Sequence, residues 1–467
     1  MFEKRNVHFV GIGGIGMSAI AEVLHSKGFK VSGSDIIQNL ITKRLRKKGI
    51  KVYNKHAASN IKNADVIVYS SAIKANNVEI NSGARKKIPI YSRAMMLAEV
   101  MRLKKSITVS GSHGKTTTTS LISSILEYSG HDPTIINGGI INGINANAKL
   151  GNGEWIVAEA DESDGSFTML PSTIGVINNI DLEHLDFYNN INEIKDSFVS
   201  YANNIPFYGF LAINIDDNNI KNILERISHK KTVTYGLSKD ADFYAENMRI
   251  IKKGNSFFSC FDIVTNTKSK KVLKNIFIKL IGPHNVTNTL AAYCICKALK
   301  VPDSKIKIAL KNFQGVKRRF SVLYNSRNTM VIDDYAHHPK EIKMTLDSLK
   351  SITKKKLIVV FEPHRFSRLK NLKGEFIKSF KNANSIFVLP VYTAGEKMKK
   401  EFTNFNFSEL LKNKYDNKMI RPISDQKKLN LSLCKIICNG DNVIFLGAGQ
   451  SSKIADSFVN FLMKNEI

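Results

Sequence analysis

Several groups of residues in this sequence have the types and spacing that chemistry requires. The clearest is Ser110-Gly111-Ser112-His113-Gly114-Lys115-Thr116, followed by Thr117. It lies between a β-branched strand pattern and a Thr-rich helix start. Glycines at 111 and 114 let the backbone turn its N–H groups toward an anion, and the helix N-terminus adds a favourable dipole. Lys115 is placed to neutralise terminal phosphate charge, and Thr116 to offer its hydroxyl to Mg²⁺. The step from Gly111 to Lys115 is shorter than in the usual Walker pattern, so the loop predicts ATP binding without stating its purpose.

A second loop, Gly11-Ile12-Gly13-Gly14-Ile15-Gly16, follows a strand and opens a helix, with Asp35 downstream at the distance of a ribose contact. It reads as an NAD site, as in an oxidoreductase, or as a site for a UDP-linked substrate, because its N–H groups serve any pyrophosphate. A separate ATP loop favours the second. Two acidic clusters, Glu159-Ala160-Asp161-Glu162-Ser163-Asp164 and Asp181-Leu182-Glu183-His184-Leu185-Asp186, follow apolar strand patterns. Such clusters are solvated turns or cation sites. Oxygen donors with one imidazole suit Mg²⁺ or Mn²⁺ better than zinc. Further on, Asp333-Asp334-Tyr335-Ala336-His337-His338-Pro339 offers two imidazoles without a third ligand at zinc spacing. Arg365 and Arg368, three apart, read as surface charge or as a helical-face clamp for carboxylate or phosphate.

The elements that must position these residues alternate. Strand patterns at 7–10, from 31, at 65–69 and at 88–91 are separated by helical spacing, which predicts a parallel sheet. A second α/β unit runs from 106, with apolar runs at 155–158, 174–177 and 210–213. From about 232 to 281 the pattern becomes β-rich, as expected of antiparallel hairpins. Strands at 330–332, 356–361, 385–388 and 442–446 form a third unit. The expected architecture is α/β in three domains, 1–103, 104–314 and 315–467: a Rossmann-like N-terminal domain, a central P-loop-type ATPase domain with a β-rich annex, and a Rossmann-like C-terminal domain.

Length and composition bound the rest. At 467 residues, 43% hydrophobic and 23% charged, the chain has the make-up of a soluble multidomain protein. No apolar run is long enough to span a bilayer, and no signal region precedes the first strand, so a cytoplasmic protein without a membrane partner is expected. Five scattered cysteines read as reduced and structural. The net charge of +29 is diffuse rather than gathered with aromatics, which predicts a solvated basic surface and no specific nucleic-acid partner.

Taken in order, these blocks resemble the Mur ligase family over essentially the whole chain. Ser70-Ser71-Ala72-Ile73, Gly282–Asn288, Arg318-Arg319-Phe320 and Gly447-Ala448-Gly449 complete the resemblance. It implies that Gly11, Gly13, Gly14, Gly16, Asp35, Ser70 and Ser71 face a UDP-sugar. Gly111, Ser112, His113, Gly114, Lys115, Thr116 and Thr117 would hold ATP, with His284, Asn288 and Arg319 around the adenine and Asp334 at the ribose. It implies metal ligands at Thr116 and Glu159, and at His184 for a second Mg²⁺. His337, Arg365 and Arg368 would approach the sugar carboxylate and the incoming amino acid, with His337 a candidate to assist amine deprotonation. The implied reaction is an ADP-forming ligation. The lactyl carboxylate of UDP-N-acetylmuramate attacks the γ-phosphate of ATP, and L-alanine displaces phosphate from the resulting acyl phosphate, in peptidoglycan precursor synthesis. A family member that recycles a murein tripeptide and a binding protein without turnover are the other expectations. Monomer and homodimer are both compatible with the sequence.

Overall fold

The computed structural model describes residues 5–70, 72–74, 76–184, 187–228, 231–254, 256–266, 270–326, 329–397 and 402–464. They fall into two compact units. Met1–Met248, Phe261–Phe277 and Thr287–Gln314 form the first, and Arg249–Cys260, Ile278–Val286 and Gly315–Ile467 the second.

The N-terminal sheet in the first unit has five parallel strands, in the order Lys51–Tyr53, Lys30–Ser34, Asn6–Val10, Val66–Tyr69, Ile90–Ser92. The sequence pattern showed all but Lys51–Tyr53, a three-residue edge strand opening on a charged residue. A strand that short carries no alternation to read.

The central sheet has ten strands, ordered Lys271–Ile278, Ser256–Thr265, Phe243–Lys253, Thr232–Gly236, Phe210–Asn214, Ile174–Ile177, Lys105–Ser110, Trp155–Glu159, Thr134–Ile141, Ala146–Lys149. From Thr232–Gly236 to Thr134–Ile141 it is parallel. The β-rich stretch is therefore not a separate hairpin set from 232 onward: Thr232–Gly236 belongs to the parallel core, and the later strands extend the same sheet. Thr134–Ile141 and Ala146–Lys149, an antiparallel pair, escape sequence reading because Asn137-Gly138-Gly139 interrupts the apolar run of the first and Ala, Asn and Lys make up the second, residues depleted from strands.

In the second unit six strands run Ser321–Ser326, Thr329–Asp334, Asn442–Leu446, Leu357–Phe361, Ser385–Val388, Met419–Pro422. All pairs are parallel except the first. Leu357–Phe361 and Asn442–Leu446 are buried at every position, as expected of strands covered on both faces. Cys260, Cys294 and Cys296 are buried thiols outside any disulfide, and burial pushes the last two well up. Among the described residues no helix is long and apolar enough to cross a membrane.

Several helix starts are capped by side chains, and the two that follow the glycine loops are not. Leu40–Lys47, Val78–Arg85, Arg93–Met101 and Ile191–Asn203 each have a side-chain N-cap, from Asn39, Asn77, Ser92 and Asn190. Ile15–Ser26 and Lys115–Tyr128 start at Gly14 and Gly114 with no side-chain cap. An uncapped first turn leaves N–H groups that an anion can satisfy.

Candidate active site

The loop before Lys115–Tyr128 is held open by residues after Ile174–Ile177. Asn179 Oδ1 accepts from His113 N at 2.8 Å, its backbone carbonyl accepts from Ser112 N at 3.2 Å, and Ser112 Oγ accepts from Asp181 N at 2.8 Å. Asn178 Nδ2 donates to His113 O and Thr118 Oγ1. Gly111 has φ +130° and Gly114 φ +81°. A Cβ at 111 would come within 3.1 Å of the Asn179 backbone, and one at 114 within 2.6 Å of Asn288 Oδ1. Asn288 thus lies against the loop, as expected. The block Asn178–Asp186 belongs to the family resemblance, but two asparagines after a strand read only as a turn, which gives Asn178 and Asn179 no role of their own.

Lys115 does not reach into solvent. Its Nζ donates to Gly111 O at 2.7 Å and to both oxygens of Glu162, at 2.7 and 2.9 Å. Burial alone would lower its pKa, but the carboxylates of Glu162 and Asp161 outweigh it and hold the ammonium above the ordinary lysine range. Glu162, 1% exposed, is kept ionised by the same pairing against its own desolvation. His184 Nε2 lies 3.3 Å from Glu162 Oε1, and that carboxylate raises its pKa against the effect of burial. His184 has φ +56°, a backbone region that non-glycine residues enter at a cost of about 1–3 kcal/mol.

Ligand atoms of Asp161, Glu162 and His184 all lie within 4.8 Å of one another. Two carboxylates and an imidazole at the ends of parallel strands fit a hard divalent cation. Glu159, the expected ligand, accepts from Gly138 N at 2.6 Å. Thr116 and Thr117 are buried in the first turn of Lys115–Tyr128. In the sequence Asp161 and Glu162 stand out only as members of the acidic run. That they are the ones brought to Lys115 and His184 depends on the turn after Glu159, which no spacing rule resolves.

At the other loop, Gly11 N and Ile12 N both donate to Ser34 O, at 2.8 and 3.1 Å, and Gly13 N to Asp35 Oδ2 at 2.8 Å. Asp35 Oδ1 accepts from Ile37 N. Asp35 therefore braces the loop, and the N–H groups left for an anion are those of the uncapped helix start. Gly11, with φ +83°, packs on Ser70. Ser71, expected beside it, lies outside the described residues, as do the last two residues of the 181–186 run.

In the second unit Asp334 accepts from Phe320 N and Ala336 N, at 2.7 and 2.8 Å, and burial raises its pKa to about 6. The guanidiniums of Arg318 and Arg319 lie 4.9 and 5.0 Å from the Tyr335 ring centre. His284 contacts Asn285 Nδ2 through Nε2. His337 Nδ1 is 3.0 Å from Tyr335 O, which can only accept, so the neutral ring carries its proton on Nδ1 and leaves Nε2 as an acceptor. Burial and then the Arg368 charge hold His337 well below the usual histidine range, and the same two causes bring His364 to about 4. Arg368 Nη1 lies 3.1 Å from His364 Nδ1. Arg365 does not share a helical face with Arg368: it precedes the helix Phe366–Asn371 with φ +67°, its N–H donating to Tyr392 O. The third glycine loop, residues 447–449, is already filled. Glu362 accepts from Gly449, Gln450 and Ser451 N–H at 2.9–3.1 Å, where a bound anion would sit.

A phosphate loop with a buried lysine–carboxylate pair on a largely parallel sheet, in a chain that carries two further α/β sheets, defines a multidomain nucleotide-handling enzyme of the ligase type. Family models agree: residues 6–105 match the Mur ligase family catalytic domain, 109–296 the Mur ligase middle domain and 318–449 the Mur ligase glutamate ligase domain. The chain belongs to the Mur ligase family. It is 43% identical to a UDP-N-acetylmuramate–L-alanine ligase from Rickettsia felis, covering 97% of both chains. It is 44% identical to one from Geotalea uraniireducens, covering 98% of both. A crystal structure of the UDP-N-acetylmuramate–alanine ligase of Thermotoga maritima aligns with a TM-score of 0.82 at 29% identity, over 99% of this chain and 100% of that one. The murein peptide ligase of Psychrobacter arcticus shares the fold, with a TM-score of 0.70 at 21% identity over 98% of both.

Proposed function

We propose that this chain joins L-alanine to the lactyl carboxylate of UDP-N-acetylmuramate at the expense of ATP, in peptidoglycan precursor synthesis. The observation that carries the reading is the Lys115–Glu162 pair under the 111–114 loop, in a chain that resembles ligases of that name end to end. We assign residues 1–103 to the UDP-sugar, 104–314 to ATP and 315–467 to the amino acid.

The carboxylate attacks the γ-phosphorus and ADP leaves; the amine then attacks the acyl carbon and phosphate leaves. Two anions must meet in the first step, so the protein's task is to position and to screen. Lys115 sits where terminal phosphate oxygens would replace Gly111 O as its partner, and the loop N–H groups hold the rest. Glu159 and Thr116 would hold one Mg²⁺, and His184 with Glu162 and Asp161 a second; bound there, the ions neutralise phosphate charge. In the second unit Arg365 and Arg368 supply positive charge for the amino-acid carboxylate. His337 Nε2 accepts from its amine and orients it. A basicity so depressed makes His337 a poor proton acceptor from an ammonium, so its role narrows to orientation.

The test is phosphate release from ATP with UDP-N-acetylmuramate and an amino-acid panel that includes the murein tripeptide. Release that requires the sugar nucleotide and L-alanine is expected. Release with the tripeptide alone would make the chain a recycling ligase, and none with any acceptor would reject ligation.

A further inference from the structure

Arg93 is the first residue of the helix Arg93–Met101, directly after the edge strand Ile90–Ser92 of the N-terminal sheet. Ser92 accepts from Met95 N, which fixes the helix start and places Arg93 in the first turn. A cation there opposes the helix dipole, so helix stability does not explain it. Nor does the side chain extend into solvent. It lies over Gly16, where a Cβ would come within 3.2 Å of Arg93 Cδ and 3.4 Å of Nη1. Its Nη2 then reaches Asp161 Oδ2 at 3.3 Å. One guanidinium thus spans from the uncapped helix beside the 11–16 loop to the acidic turn that holds Lys115.

That line matters for the reaction proposed above, on which this inference rests. The sugar nucleotide's pyrophosphate belongs to the 11–16 loop, while its carboxylate must reach a phosphoryl group at the 111–116 loop. The carboxylate therefore comes to lie between the two, where Arg93 now meets a carboxylate of the protein. The present pair is a single contact at 3.3 Å between partly exposed groups, a kind of ion pair that contributes little. A substrate carboxylate taken by both arms of the guanidinium would displace it readily. We propose that Arg93 binds the carboxylate of the sugar nucleotide, with Asp161 as its partner in the substrate's absence, and so selects carboxylated sugar nucleotides over their hydroxyl counterparts. It acts from a domain whose glycine loop reads only the pyrophosphate.

The experiment is calorimetric titration of wild type, Arg93→Lys and Arg93→Ala with UDP-N-acetylmuramate and with the same sugar nucleotide lacking its lactyl group. Arg93→Ala should weaken the carboxylated ligand about 10- to 100-fold, the size of one lost charge-assisted pair. The ligand without the lactyl group should bind all three proteins alike. Arg93→Lys, which keeps the charge but loses the fork, should fall between, and it carries the comparison if the alanine variant melts early. Equal weakening for both ligands, no weakening for either, or a wild type indifferent to the lactyl group would each overturn the assignment. In turnover the KM for the sugar nucleotide should rise with the KM for ATP unchanged. Absence of phosphate release by wild type would count against the ligase reading, whereas the binding comparison judges Arg93 independently.

Discussion

Lys115 and Glu162 are a buried ion pair, and for such pairs removing one member is worse than removing both. With Lys115 gone, Glu162 at 1% exposure keeps His184, at 3.3 Å, as its one cationic partner among the described residues. An orphaned buried charge costs about 3–5 kcal/mol. Lys115→Ala should therefore lose ligation and also melt earlier, while Lys115→Ala/Glu162→Gln should recover most of the melting temperature and none of the activity. Thermal melts beside the phosphate assay separate the two roles. A single variant as stable as wild type would mean the pair is not buried in solution, and measurable ligation by either protein would remove Lys115 from the chemistry. UDP-sugar binding should survive in both.

Two elements do structural work that can be tested apart from catalysis. The 111–114 loop depends on a glycine at 111, since a Cβ there meets the Asn179 backbone at 3.1 Å and φ is +130°. Gly111→Ala should shift the loop and lower turnover by roughly 100-fold, the scale of reacting groups misplaced by about 1 Å, with UDP-sugar affinity kept; turnover that matches wild type would refute it. In the N-terminal sheet Glu79, fully buried, accepts from Ser34 Oγ at 2.5 Å and Asn60 Nδ2 at 2.6 Å, and lies 3.5 Å from His8 Nε2 and 3.1 Å from His56 Nδ1. Burial would raise its pKa, but these hydrogen bonds and His8 together bring it down to about 2. A folded value below the unfolded one means stability present above the ordinary carboxylate pKa and lost as pH falls through about 2. Glu79→Gln should flatten acid unfolding of this domain over that window, and an unchanged pH profile would show that the knot is not what acid breaks. Such elements mark how far the sequence could be read. Glycine loops and acidic runs at strand ends were legible because backbone geometry leaves few residues to choose from. Asn178 and Asn179, the strand Thr134–Ile141 with its Asn137-Gly138-Gly139 interruption, and Arg93 were not, because their roles come from neighbours far away in the chain.

Net charge acts on the molecule as a whole. The chain carries 69 Lys and Arg against 40 Asp and Glu, a formal +29, while both nucleotide substrates of the proposed reaction are polyanions and L-alanine is a neutral zwitterion. A field of that sign raises the local concentration of polyanions and their encounter rate, by about 10- to 1,000-fold in strongly charged systems. It is screened as the Debye length shrinks from about 30 Å at 0.01 M salt to about 10 Å at 0.1 M. For ATP and the sugar nucleotide, kcat/KM should fall roughly tenfold between about 0.01 and 0.2 M KCl, with kcat nearly constant. For L-alanine, kcat/KM at saturating nucleotides should hardly move. The amino acid is the internal control, because salt that merely unfolded the protein would depress all three alike. A diffuse surface charge also binds nucleic acid only through screened phosphate contacts, so retention on DNA should vanish over the same salt range. Salt-independent nucleotide kinetics, or DNA retention that persists at 0.2 M, would show that the lysine excess serves something other than capture of anionic substrates.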